Sequence, residues 1–294
     1  MNYLDSLNSE QKKAVLATEG PVLIVAGAGA GKTKTITHRI LHLIANGVSP
    51  ERILAITFTN KAAREMRERV HTLLDNDKDL RHLRRTVPFI STFHSLGVQI
   101  IKENAELLNL PRHFSIFDTA DSKKALKEAL TYIGVEPKEH LDKIRHIISH
   151  EKGRGTSVGE YLAGGAFDFT SELTKKAWVR YEEMLKKEHA LDFDDLLLKT
   201  LKLLEKHEEI LEKYQNRFIY IHIDEYQDTN KVQNRIVELI AEKNRNLCVV
   251  GDTDQNIYSW RGAEIKNMLQ AFEARAQAHA EYQTKRTGLV DPSR

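Results

Sequence analysis

Residues 21–35 read PVLIVAGAGAGKTKT, and the reading of this stretch decides the fold. Four aliphatic residues, Val22 to Val25, stop at a turn in which Gly27, Gly29 and Gly31 alternate with Ala26, Ala28 and Ala30. The turn delivers Lys32 and Thr33 into ITHRILHLIANG, whose apolar spacing is helical. In the order strand, glycine loop, helix, successive backbone N–H groups can curl around phosphate oxygens while the helix N-terminus adds partial positive charge. Lys32 would then reach the β and γ phosphates, and the Thr33 hydroxyl would ligand Mg²⁺. The general pattern G-x-x-x-x-G-K-[ST] has Ala26 at its first position here, so the stretch alone also fits a glycine-rich turn with an exposed lysine.

The flanking sequence supplies the context. LDSLNSEQKKAVLAT, residues 4–18, reads as a helix with Ser6 or Asn8 as its cap. Beyond the first strand-to-helix unit, ILAITFT (53–59) is a second buried strand, and Asn60 can cap the helix KAAREMRERVHTLL. Residues 75–88, polar and locally basic, form a loop or short helix before a third strand, FISTF (89–93), and the helix LGVQIIKENAELL. The alternation then disappears until LDFDDLLLKTLKLLEKHEEILEKYQ, read as one long helix. Two further strands follow, FIYIHID (218–224) and LCVVGD (247–252), with NKVQNRIVELIAEK as a helix between them. Five short apolar strands alternating with helices predict an α/β doubly wound parallel sheet.

Residues 109–190 contain only charged segments of helical spacing, broken by GRGTSVGEYLAGGAF, and predict an inserted all-helical subdomain. The expected organisation is a discontinuous nucleotide-binding domain of residues 1–108 and 191–272, the insertion 109–190, and a disordered tail 273–294.

Composition narrows the possibilities without choosing among them. The 294 residues are 41% hydrophobic and 29% charged, enough apolar content for a substantial core. With 44 basic against 42 acidic residues, nothing global predicts a nucleic-acid partner, so such a partner must be argued locally. Cys248 is the single cysteine, which excludes an internal disulfide framework and predicts a buried, inert thiol. The N-terminus is polar, no stretch reaches the length of a membrane span, and a cytoplasmic protein is expected.

Two further stretches carry chemistry. Asp224 and Glu225 close an apolar run, where a phosphate-loop enzyme needs one carboxylate for Mg²⁺ and another to take the proton of attacking water. Adjacent strand residues point to opposite faces, so the chain must already be turning at Glu225 if both serve one site. In LCVVGDTDQNIYSWRG, Gln255 suits a γ-phosphate sensor, and Tyr258, Trp260 and Arg261 suit stacking on bases and holding a nucleic-acid backbone. His146 and His150 share a helical face without an evident third ligand, and Asp192, Asp194 and Asp195 read as a helix start.

The motifs LNSEQKKAV, AGAGAGKT, ILAITFTNKAAREM, STFHSL, DFDDLLL, IHIDEYQDTNKVQ and VVGDTDQNIYSWRGAEI occur in one order along the chain. Through them the sequence resembles the N-terminal half of the UvrD/Rep/PcrA type of superfamily-one DNA helicase, over roughly residues 4–270. Ala26 is typical of that family. The resemblance implies a RecA-like phosphate-loop domain that binds ATP and Mg²⁺, with Gln11 reading adenine, residues 26–33 holding the triphosphate and Arg39 touching the nucleotide. It implies that Asp224 and Thr33 serve the metal, that Lys32, Glu225 and Gln255 act in hydrolysis, and that Gln255 couples the γ-phosphate to DNA. Phe58, Thr59, Asn60, Thr92, Phe93, His94, Tyr258, Trp260 and Arg261 are implied to line a single-stranded DNA track.

The implied parent is a monomeric 3′ to 5′ DNA helicase acting at single-strand and duplex junctions, without a membrane partner. Its second motor domain is expected outside this chain, because the family's next motif, with an N-Y-R signature, is absent and QTKRTG stands near its place. Two other readings fit the same motifs. One is a short regulatory module that binds ATP and single-stranded DNA. The other is the helicase part of a helicase-nuclease, against which the compact insertion argues.

Overall fold

A computed structural model describes residues 3–165 and 168–252. They form two compact units, one of residues 3–92, 208–229 and 237–252, the other of residues 93–165, 168–207 and 230–236. The first unit opens with α1 (Ser9–Leu16), β1 (Val22–Val25), α2 (Lys32–Ala45), β2 (Ile53–Thr57), α3 (Asn60–Asn76) and β3 (Phe89–Thr92). The second holds α4 (Phe93–Glu103), β4 (Ser115–Phe117), α5 (Thr119–Tyr132), α6 (Pro137–Gly153), α7 (Val158–Ala163), α8 (Phe169–Lys187), β5 (Ala190–Asp192) and α9 (Phe193–Lys206). The chain returns to the first through α10 (Glu208–Arg217), β6 (Tyr220–Ile223) and β7 (Asn246–Gly251), with α11 (Lys231–Ala241) between the last two strands.

All five strands expected from the sequence are present, in one sheet of order β1-β7-β6-β2-β3. Every neighbouring pair is parallel, with Val25 opposite Gly251, Ile223 opposite both Val249 and Ile56, and Thr57 opposite Thr92. Parallel pairing puts every strand's carboxyl end on one edge, so the loops after β1, β6 and β7 leave the sheet side by side. Helices α2 and α3 cover one face: Ile36, Ile40, Ile44, Met66 and Val70 pack with Ile53, Ala55, Ile90, Cys248 and Val250 in one apolar cluster. Burial pushes the Cys248 thiol up to about 11, which makes it a core residue rather than a nucleophile.

The elements between β3 and β6 depart from the sequence-based expectation in three places. Residues 115–117 and 190–192 form a short parallel pair, β4 with β5. Three residues are too few to show an apolar period, so the sequence pattern missed them. Helix α7 lies inside the glycine-punctuated segment, started by a reciprocal capping box between Ser157 and Glu160. The long helix expected from residue 191 is instead β5, α9 and α10, broken at His207 (φ −124°, ψ 95°). Glu208 and Glu209 in the first turn of α10 favour a fresh helix N-terminus there.

Trp178, Ala129, Leu130 and Ile144 centre the apolar core of this unit, built by α5, α6 and α8. Beside it Lys152 is buried, its Nζ 2.9 Å from Asp192, 3.0 Å from Asp195 and 3.0 Å from Glu182. Burial alone would push the ammonium down, but the carboxylates of Asp192, Asp195 and Glu182 together hold it well above its ordinary range. Asp192 also caps α9 by accepting from the Asp195 N–H at 2.7 Å, as the sequence suggested for this acidic run. No helix among the described residues is long and apolar enough to cross a membrane.

Helices α4 and α9 cross closely because residue 97 is glycine. A Cβ there would lie 2.7 Å from the Leu196 carbonyl oxygen and 3.0 Å from Thr200 Oγ1, and the backbone atom cannot swing away. At Gly159, in α7, an added Cβ meets nothing within 4 Å. Gly97→Ala is therefore expected to lower stability by about 1–3 kcal/mol. Gly159→Ala is expected to be neutral or to stabilise by up to ~1 kcal/mol, both read from thermal unfolding midpoints.

Candidate nucleotide-binding site

The glycine loop leaves β1 with the Ala26 N–H donating to the Gly251 carbonyl of β7 at 3.0 Å, then turns with the Ala30 N–H on Gly27 O at 3.3 Å. Gly29 (φ 76°) and Gly31 (φ 83°) are left-handed, a conformation that side chains resist. Gly31 is the N-cap of α2 and supplies no side-chain cap, so the first N–H groups of the helix are available to an anion. Around Gly27 and Gly29 an added Cβ would meet nothing within 4 Å, so this side of the loop faces open space.

Gln11 reaches the loop from α1. Its Nε2 donates to the Ala30 carbonyl at 2.9 Å, while its Oε1 accepts from the Asn8 N–H in a reciprocal capping box. A Cβ on Gly31 would lie 2.7 Å from Gln11 Nε2, which makes glycine doubly necessary there. Of the two caps expected for this helix the structure uses Asn8; Ser6 lies in a separate 3₁₀ turn, Tyr3–Ser6.

The acidic pair meets the loop from β6. The strand ends at Ile223, and the Asp224 N–H donates to Ile56 O at 2.9 Å. Glu225 then adopts a left-handed conformation (φ 49°, ψ 46°). This is the turn that two adjacent carboxylates need in order to serve one site. Lys32 Nζ, almost buried, stands 3.4 Å from Glu225 Oε2 and 3.7 Å from Asp252 Oδ2. Thr33 hydrogen-bonds the Asp224 carboxylate, which also accepts from the Glu225 N–H at 3.1 Å. The structure thus brings Lys32, Thr33, Asp224 and Glu225 together from two strand ends, with Asp252 reaching Lys32 from a third.

Three neighbours complete this cluster without a role assigned from sequence: Gln227, Asp228 and Asp252. Gln227 Nε2 donates to Glu225 Oε2 at 2.8 Å. Asp228 Oδ1 is buried with no hydrogen-bond partner. The signal was the run Glu225-Tyr226-Gln227-Asp228, an amide set between acids at the end of the acidic pair.

Burial pushes Asp224 up to about 6, with the Glu225 charge adding to the rise and Lys32 and Thr33 opposing it. Asp228 rises to about 6 for the same two reasons. Asp224, Glu225, Asp228 and Asp252 thus face the ammonium of Lys32 with an excess of negative charge. Carboxylate and hydroxyl oxygens, with the unpartnered Asp228 oxygen among them, are the donors that a hard divalent cation such as Mg²⁺ takes. Asp224 and Thr33 would hold the metal, which would supply charge for the phosphate oxygens. Lys32 can exchange its carboxylate partners for phosphate, and Glu225 can accept the proton of a water.

Arg39 is a correction. Buried on the inner side of α2, it donates to the carbonyls of Ala14 at 2.7 Å, Ala17, and Thr18 at 3.1 Å. Its charged and polar neighbours Glu19 and Tyr220 lie at the amino ends of β1 and β6, the sheet edge opposite the loop. The guanidinium ties down the connection from α1 to β1 rather than meeting a nucleotide.

The residues expected on a DNA track divide. Phe58 is half-buried, Thr59 and Asn60 are exposed, and Thr59, not Asn60, caps α3 by accepting from the Ala62 N–H at 3.1 Å. Thr92 is buried at the end of β3. In the second unit Phe93 is buried, and half-buried His94 sits edge-on to exposed Phe193, with ring centroids 5.6 Å apart. Gln255, Tyr258, Trp260, Arg261 and the tail 273–294 lie outside the described residues.

A parallel sheet that carries a glycine loop, a lysine and an acidic pair on one edge defines a RecA-like phosphate-loop domain. The chain belongs to the UvrD/REP helicase family: the family model for the UvrD/REP helicase N-terminal domain matches residues 7–275. It is 45% identical over 276 residues to the ATP-dependent DNA helicase PcrA of Staphylococcus aureus, covering 92% of this chain and 36% of that protein. It is likewise 45% identical over 280 residues to PcrA of Staphylococcus epidermidis, covering 93% of this chain and 37% of that protein. The chain therefore spans little more than a third of the curated relatives it matches.

The raised carboxylates set a pH dependence. The folded value of Asp224, about 6, exceeds an unfolded value of about 3.9, so folding takes up a proton between those pH values. The stability is full below about pH 4 and is lost as pH rises through about 6. Asp224→Asn is expected to raise the stability of the nucleotide-free chain by on the order of 2 kcal/mol at pH 7.5, and to add little at pH 4. Urea unfolding at the two pH values measures the difference.

Proposed function

We propose that this chain is the ATP-binding half of an ATP-dependent 3′ to 5′ DNA helicase, in which hydrolysis drives movement along single-stranded DNA and unwinding at junctions with duplex. The observation that carries the reading is the meeting of Lys32 with Glu225 and Asp252, and of Thr33 with Asp224, beside an open glycine loop. In this reading residues 26–33 cradle the triphosphate of Mg²⁺–ATP, Asp224 and Thr33 hold the metal, and Glu225 activates water. Gln11, already on the loop, reads the adenine. Gln255 senses the γ-phosphate. The domain plan is the sequence-based one, a motor domain of residues 1–108 and 191–272 with 109–190 inserted.

Phe58, Thr59, Asn60, Thr92, Phe93, His94, Tyr258, Trp260 and Arg261 are assigned to the single-stranded DNA track. Exposed Thr59 and Asn60 and the half-buried rings of Phe58 and His94 support this, since bases stack on aromatic rings that solvent reaches. Movement along DNA needs a second motor domain whose arginines stabilise charge on the transferring phosphoryl, an effect worth roughly 10³ to 10⁵ in rate in other nucleotide hydrolases. The parent protein supplies it and works as a cytoplasmic monomer. By itself this chain hydrolyses ATP slowly and does not unwind DNA.

The test is Mg²⁺-dependent ATP hydrolysis by this chain, with and without single-stranded DNA, beside Lys32→Ala and Glu225→Gln. Slow hydrolysis lost by at least 10²-fold in both variants is expected, with nucleotide binding weakened in Lys32→Ala and kept in Glu225→Gln. Hydrolysis indifferent to both substitutions would refute the assignment.

A further inference from the structure

Gln227 lies in the 3₁₀ turn Tyr226–Asp228 after β6, and each end of its amide has a separate partner. Nε2 donates to Glu225 Oε2 at 2.8 Å, and Oε1 accepts from the Asp252 N–H at 3.0 Å. The side chain is buried, 4% exposed, which is unusual for a glutamine unless its hydrogen bonds are met. Room for it is made by a glycine: a Cβ on Gly251, the last residue of β7, would lie 2.7 Å from Gln227 Oε1. The backbone on either side of this amide is thus fitted to it.

We infer that Gln227 is a positioning residue for hydrolysis: it fixes the Glu225 carboxylate beside Lys32 and ties that carboxylate to the end of β7. The inference rests on Glu225 being the base. Glu225 follows a left-handed turn, and two or three free torsions separate its carboxylate from the backbone, so the turn alone does not fix where it points. A donor at 2.8 Å occupies a lone pair of Oε2 and leaves Oε1 for the proton of a water. The second bond has a different consequence. Because the Asp252 N–H is held by the same amide, a shift of the chain after β7 pulls on Oε1 and is felt at Glu225. Of the natural side chains of this length, only an amide both donates to a carboxylate and accepts from an N–H.

This chemistry selects the variants. Gln227→Glu keeps an acceptor for Asp252 N–H but replaces the donor with a second carboxylate beside Glu225. Gln227→Leu removes both bonds at similar volume. Glu225→Gln with Gln227→Glu reverses the polarity of the contact: the amide at 225 now donates to the carboxylate at 227.

The experiment is single-turnover hydrolysis of Mg²⁺–ATP by an excess of the full chain over pH 5.5–9, with nucleotide affinity and the thermal unfolding midpoint measured on the same samples. Gln227→Glu is expected to lower the hydrolysis rate on the order of 10- to 100-fold with nucleotide affinity nearly kept. The polarity-reversed pair should recover the unfolding midpoint lost in Gln227→Glu without recovering turnover.

An unchanged rate in Gln227→Glu would overturn the inference. So would a rate loss matched by equal loss of affinity and midpoint, since that is the mark of a packing role. If the unsubstituted chain shows no hydrolysis that depends on Glu225, the reading of Glu225 as base fails first and the inference with it.

Discussion

The site depends on one constraint, the parallel register of β1, β7 and β6. Val25 stands opposite Gly251, and Val249 opposite Ile223, so three strands reach the same sheet edge within two residues of each other. Only then can Lys32 of the loop lie between Glu225 after β6 and Asp252 after β7. A slip of one residue in any of these strands would turn its side chains to the other face and strand the lysine without its carboxylates. The apolar packing of α2 and α3 on the sheet keeps this register, since Ile36, Ile40 and Met66 interlock with Ile53, Ala55 and Val250.

Helix α2 carries a cation to each edge of that sheet. Lys32 begins the helix at the carboxyl edge, and Arg39, seven residues on and about two turns along the same face, lies among groups at the amino edge. The two charges do different work because their surroundings differ. Both terminal nitrogens of Arg39 are held by backbone carbonyls of fixed geometry, so its role is to hold the entry to β1. Lys32 faces carboxylates at 3.4 Å and 3.7 Å, longer than direct hydrogen bonds and open to replacement by phosphate.

Much of this was legible in the sequence because the signals were local and long enough. The five strands, the loop, Lys32, Thr33, Asp224 and Glu225 each announce themselves by an apolar run that ends in a special residue. What escaped was either too short or dependent on distant partners. Three-residue β4 and β5 have no period to read, and the break at His207 is hidden in an unbroken helical pattern. The choice of Thr59 over Asn60 as a cap is a one-residue difference between two equally good capping residues. Arg39 looks from its spacing like part of the nucleotide helix, and only the carbonyls of residues 14, 17 and 18 reveal its direction. Gln227 could not be ranked above any other polar residue in its loop until Glu225 and Asp252 were seen on either side of it.

The Lys152 cluster has a consequence for how this sequence can change over generations. Its members come from α6, from α8 and from the junction of β5 with α9, and each meets a buried ammonium at about hydrogen-bond distance. Losing Lys152 leaves buried carboxylates without their cation, whereas replacing the whole group by apolar residues of similar volume need cost nothing. Lys152 is therefore the member least free to change alone. Drift can reach an uncharged centre for this unit only through intermediates less stable than either end.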